Sequence, residues 1–94
     1  MNATEANYDW VEVEFYAVPR LRAGVAACRV PAGALADVLR AVLAQCPGLA
    51  PLLPDGQPGP HVLVSLDGQR FLHDPGEPIP PGTRLLVLSA DVGG

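Results

Sequence analysis

The sequence predicts an α+β domain in which a mixed sheet of four to five strands packs on one main helix. Three observations carry that expectation. Val11-Glu12-Val13-Glu14-Phe15 alternates apolar and acidic residues, the period of a half-buried strand. Leu35, Val38, Leu39, Val42 and Leu43 recur at helical spacing and form one apolar stripe. Asp67-Gly68 stands between two apolar runs, a two-residue hairpin signature because both turn positions take positive φ.

In chain order, residues 1–9 read as a flexible N-terminal tail. The first strand follows, with Val11, Val13 and Phe15 toward the core and Glu12 and Glu14 on a solvated face. Pro19 ends it, and Arg20 to Gly24 read as a plain connection. Val25 to Val30 returns as the second strand of a hairpin before Pro31. The main helix runs from about Ala34 to Cys46. Its start is weakly capped, since Gly33 or Ala34 stands where Ser or Thr would serve better; Asp37 in the first turn partly compensates through the helix dipole. Pro47-Gly48 closes it.

Leu49 to Pro60 holds four prolines and two glycines and reads as a long irregular loop, pinned to the domain by Leu49, Leu52 and Leu53. His61 to Leu66 and Gln69 to Leu72 form the second hairpin. Four prolines between His73 and Gly82 argue against regular pairing there. Arg84 to Ala90 is nearly continuous in apolar residues and suits a central strand. The expected organisation is one domain over residues 10–90, followed by an extended tail of residues 91–94.

With 94 residues, 49% of them hydrophobic, the chain can bury a single core without disulfides or metals. Its net charge of −4 and lack of a basic cluster exclude nucleic-acid binding as the expected role. No apolar run approaches the length of a membrane span, and the acidic start is not a signal peptide, so the expectation is a cytoplasmic protein with no membrane partner. All six basic residues are arginines, so the chain offers no lysine as an isopeptide acceptor. Cys28 and Cys46 have neither the spacing nor the histidine partners of a metal motif; they read as buried thiols, with a disulfide or a reactive thiol as the alternative. His61 and His73 are too few for a zinc site. No nucleophile elbow or phosphate loop is present.

The last strand leads directly into Asp91-Val92-Gly93-Gly94. Lacking Cβ atoms, Gly93 and Gly94 can thread a narrow channel and present an unhindered terminal carbonyl. This order of elements resembles the β-grasp, ubiquitin-like sulfur carriers of the MoaD and ThiS type. The similarity spans roughly Val11 to Gly94. It rests on the strand Val11 to Ala17, the helix ending in Cys46-Pro47-Gly48, the hairpin Val64-Ser65-Leu66-Asp67-Gly68, Pro80-Pro81-Gly82 and the diglycine. The chain departs from the family in having Asp rather than Asn at position 67, in its long 49–60 loop, and in Ser89-Ala90-Asp91-Val92 where prolines often stand.

The resemblance implies a carrier without its own catalytic site or bound cofactor. A partner activating enzyme would use ATP to adenylate the Gly94 carboxylate. Sulfur from a persulfide donor protein would then make a thiocarboxylate, which serves a sulfur-acceptor enzyme in molybdopterin, thiamine, cysteine or natural-product biosynthesis. The alternative is a ubiquitin-like modifier attached through Gly94 to lysines of other proteins. Gly93 would let the tail bend, Val92 would anchor it, and Asp91 would bear on which activating enzyme accepts it. Leu86 and Leu88, with Ala90, fall on one face of the last strand, Leu85 and Val87 on the other. One helix cannot cover both, so the uncovered face reads as a docking surface, unless the 49–60 loop supplies an extra core layer or a second copy of the chain covers it in a dimer.

Overall fold

The computed structural model describes residues 9–90. The proposed 91–94 tail and all but the last residue of the 1–9 tail lie outside the described residues. The chain forms β1 (Trp10–Phe15), α1 (Val18–Ala23), β2 (Ala27–Pro31), β3 (Gly33–Ala34), α2 (Leu35–Gln45), two short 3-10 turns (Pro47–Leu49 and Pro54–Gly56), β4 (Val62–Leu66), β5 (Arg70–Phe71), β6 (Pro78–Ile79) and β7 (Arg84–Ser89).

Alternation in β1 decides which residues face inward. Val11, Val13 and Phe15 are fully buried, while Glu12 lies exposed between them. β1 pairs antiparallel with β2 and parallel with β7, and β7 pairs antiparallel with β4. The resulting mixed sheet has the order β2-β1-β7-β4-β5. Its two middle strands are thus the first and last of the chain. A parallel pair cannot be closed by a tight turn, so everything between them serves as the crossover.

α2 lies against β2 and buries Leu35, Val38, Leu39 and Val42 in one cluster with the inward residues of β1, β2, β4 and β7. Leu43 packs at the margin of that core. Leu49 and Leu53 from the loop after α2 are fully buried in the same cluster. The loop therefore does pin itself to the domain, and it thickens the inner side of the sheet. The Asp67-Gly68 turn has φ of 53° and 72°, as a type I′ hairpin requires. An Asp in place of Asn is no loss here: Asp67 Oδ1 accepts the Arg84 N–H at 2.8 Å and ties the turn to the start of β7.

Two expectations need correction. Residues 18–23 form a helix, not a plain connection. Ala17 turns the chain out of β1 with φ 57° and ψ −130°, Pro19 then supplies helical φ in the first turn, and Gly24 N–H closes the end on Arg20 O at 3.0 Å. The proline-rich stretch 73–82 does pair: Pro78–Ile79 lies antiparallel to Gly33–Ala34. Proline tolerates such a site because a two-residue ladder demands few donors.

That small ladder also explains how α2 begins without a side-chain cap. The first amides of the helix donate to backbone carbonyls of the proline-rich stretch, Leu35 N–H to Glu77 O at 2.8 Å and Ala36 N–H to Pro75 O at 2.9 Å. Orphan donors that Ser or Thr would satisfy locally are satisfied from a distant segment. Arg70 on β5 forms a bidentate ion pair with Glu77, which holds that segment from its other side.

Gly48, just after α2, packs so closely on α1 that an added Cβ would collide with the Arg22 carbonyl oxygen. Backbone cannot yield there as a side-chain end could. Gly48→Ala is expected to cost about 1–3 kcal/mol by overpacking. Gly33→Ala, whose Cβ would meet only Asp37 Cβ at 3.9 Å, should stay within about 0.5 kcal/mol of the parent. Urea denaturation of both variants checks the contrast.

Candidate functional site

The candidate site is the edge of the sheet toward which β7 runs. Because β1 and β7 are parallel, their last residues arrive at the same edge. Tyr16 N–H donates to Val87 O at 3.0 Å, and Ala90 N–H donates to His61 O at 2.9 Å. The strand is therefore held by neighbours on both sides, and the last described residue, Ala90, is still bonded to the sheet. Asp91, Val92, Gly93 and Gly94 fall outside the described residues.

The two faces of β7 are resolved clearly. Leu85 and Val87 point into the core and are fully buried. Leu86 and Leu88 lie half-buried on the opposite, outer face. Leu86 stands between Glu14 on β1 and Ser65 on β4, and Leu88 lies opposite Leu63. Phe71, paired with Ser65, extends the apolar area and is 49% exposed. The 49–60 loop contributes its buried leucines to the other side of the sheet, so it does not supply the extra layer over this face that the sequence left open.

Across β1 and β2 the outer face turns polar. Glu12 meets Arg29 at 3.9 Å, and Glu14 meets Arg84 at 3.6 Å. Both pairs are solvated and contribute little to stability. The Tyr16 hydroxyl donates to Glu14 Oε1 at 2.6 Å, and that bond is the chief reason its phenol titrates above its usual range. Sequence reasoning recognised Glu12 and Glu14 as a solvated face. It missed Tyr16, Arg84 and Phe71 as their companions, although the two-residue parity of β1 and the register of the Asp67-Gly68 hairpin would have found them.

Cys28 and Cys46, eighteen positions apart in sequence, come together where β2 meets the end of α2. Cys28 pairs with Val13 and so shares its inward face; Cys46 is buried as the residue closing α2. Both thiols are free. Burial first, and the adjacent Cys46 thiol second, push the Cys28 thiol up to about 12. Among the described residues, no three or more His, Cys, Asp or Glu side chains gather to hold a metal, and no helix is long and apolar enough to cross a membrane.

A mixed sheet gripping one main helix, with its closing strand at the centre, defines a ubiquitin-like β-grasp protein. Comparison with protein-family models and with curated proteins finds no match. Solved structures do match. Small archaeal modifier protein 1 from Haloferax volcanii superposes with a TM-score of 0.77 at 24% identity, over 90% of this chain and 99% of that one. The HVO 2177 protein of Haloferax volcanii is 33% identical, with a TM-score of 0.69, over 90% of this chain and 86% of the other. Small archaeal modifier protein 1 from Methanosarcina acetivorans gives a TM-score of 0.74 at 18% identity, over 90% and 96%. The chain belongs to the ubiquitin-like β-grasp proteins.

The environment of Cys28 has a consequence that can be measured. A thiol attacks as its thiolate, so at pH 8 alkylation of Cys28 by iodoacetamide should run at least about a hundredfold slower in the native protein than in urea. Its folded-state pKa is raised above the ordinary value of 9.0. The stability it contributes is therefore complete below pH 9 and is lost as pH climbs toward 12. Mass-resolved labelling across that range checks both statements.

Proposed function

We propose that this chain is a sulfur carrier whose working group is the Gly94 carboxylate. A partner activating enzyme binds ATP, and the carboxylate attacks its α-phosphate, releasing pyrophosphate and leaving an acyl-adenylate. The terminal sulfur of a persulfide donor protein then displaces AMP. A thiol reductant cleaves the resulting acyl disulfide to leave a thiocarboxylate. A carboxylate is a poor electrophile and AMP a good leaving group, which is why activation must come first. Sulfur tethered to a folded body is delivered at high effective concentration to an acceptor enzyme in the cytoplasm. Asp91, Val92 and Gly93 thread the tail, and Leu86 and Leu88 belong to the face on which partners dock. The chain acts as a substrate and carrier and takes its catalysis from those partners.

The observation that carries this reading is the position of β7. It occupies the middle of the sheet, is bonded by β1 and β4 and is buried on its inner face through Val87. A segment anchored in this way can be drawn into another protein's active site without pulling the body apart. A second reading shares the activation step: the activated Gly94 is passed to lysines of other proteins. It is favoured by the structural neighbours that are themselves small archaeal modifier proteins.

Intact mass spectrometry after incubation with an adenylating enzyme, ATP and a persulfide donor separates the outcomes. The mass gain of one oxygen replaced by sulfur supports the carrier, and covalent adducts on lysines of added proteins support the modifier. Deleting Gly94 should abolish either product while moving Tm by less than about 2 °C. An unchanged product from the deleted chain would falsify the assignment to Gly94.

A further inference from the structure

Charge is distributed unevenly over this protein. Of its six arginines, four sit against carboxylates: Arg29 with Glu12, Arg40 with Asp37, Arg70 with Glu77 and Arg84 with Glu14. Arg20 and Arg22, both exposed on α1, have no ion-pair partner among the described residues. This is unusual in a chain with ten acidic residues and a net charge of −4. Between them in sequence stands Leu21, which at 81% exposure is the most exposed of the large apolar side chains among the described residues. Val18, the first residue of the helix, and Val25, just beyond its Gly24 cap, are 43% and 47% exposed. A shallow depression lined by Arg20, Leu21, Gly24 and Val25 lies alongside.

The helix that carries these residues is fixed in place. Pro19 is buried, Ala23 packs against the core, and the Arg22 carbonyl rests on Gly48. Leu21 is therefore held outward by a rigid element and is not the tip of a loose loop. α1 also lies at the sheet edge where β7 ends, since only two residues separate it from β1, and β1 runs parallel to β7.

We propose that α1 is a docking surface for the activating enzyme, distinct from the Leu86 and Leu88 face. Leu21 enters an apolar socket there, and Arg20 and Arg22 meet an acidic rim around it. The occupant's chemistry follows from complementarity: two unpaired cations select carboxylates, and an exposed leucine between them selects a small apolar pocket. Its identity follows from position, because a protein that takes up the tail at this edge meets α1 at the same time. The inference rests on the carrier reading for the choice of partner.

The test measures the affinity of an adenylating enzyme that accepts this chain for five proteins: the full chain, the Gly94 deletion, Leu21→Ser, Arg20→Glu/Arg22→Glu and Arg40→Glu. Circular dichroism and Tm check that each is folded. The first two α1 variants should weaken binding about tenfold or more. The same weakening should appear when these substitutions are placed in the Gly94-deleted chain, and Arg40→Glu should bind like the parent. Added salt should weaken the parent but have less effect on the double-arginine variant. Parent-like binding by the α1 variants overturns the proposal. So does an equal loss from Arg40→Glu, or a concentration-dependent dimer of the chain that Leu21→Ser dissolves. A chain that binds through α1 and is adenylated, yet never becomes a thiocarboxylate when a persulfide donor and a thiol reductant are added, leaves this surface standing and removes the carrier reading instead.

Discussion

The parallel pairing of β1 with β7 is the constraint on which the rest of the molecule depends. Val13 lies against Leu85 and Phe15 against Val87, all four buried, at the centre of the sheet. Strands so placed have their backbone groups satisfied by neighbours on both sides and their inner face removed from water. Parallel register also brings both strands to finish at one edge. The start of α1 and the end of β7 are neighbours for that reason.

Once this pair is in place, the crossover has to cover its inner face. α2 does most of it, and Leu49 and Leu53 extend the cover from a loop rich in proline. The same crossover supplies what α2 lacks locally. Its first amides are satisfied by carbonyls near Pro75 and Glu77, and its end is tied to β2 by Gln45 Nε2 donating to Arg29 O at 2.8 Å. A helix with an alanine at its N-cap is thus completed by segments far from it in sequence.

The outer face has a different logic. Near β2 it is an array of solvated ion pairs, and toward β5 it becomes apolar around Leu63, Leu86, Leu88 and Phe71. A body built this way has one side committed to holding itself together and another that leaves apolar side chains partly open to solvent.

Local patterning was enough to establish most of the architecture. The period of Val11, Val13 and Phe15, the stripe from Leu35 to Leu43 and the Asp67-Gly68 turn each act over a few residues, and each appears where periodicity puts it. The inward and outward sets on β7 were also readable as two faces; which of them met the helix was not, because parity has no absolute sign until a register is chosen. α1 was hidden because Pro19 reads as a stop when followed from β1 but supplies helical φ once Ala17 has turned the chain. The Pro78–Ile79 ladder, the distant caps of α2 and the meeting of Cys28 with Cys46 arise from contacts across tens of residues. Such contacts exist only after the chain has closed on its central pair, and no local pattern encodes them.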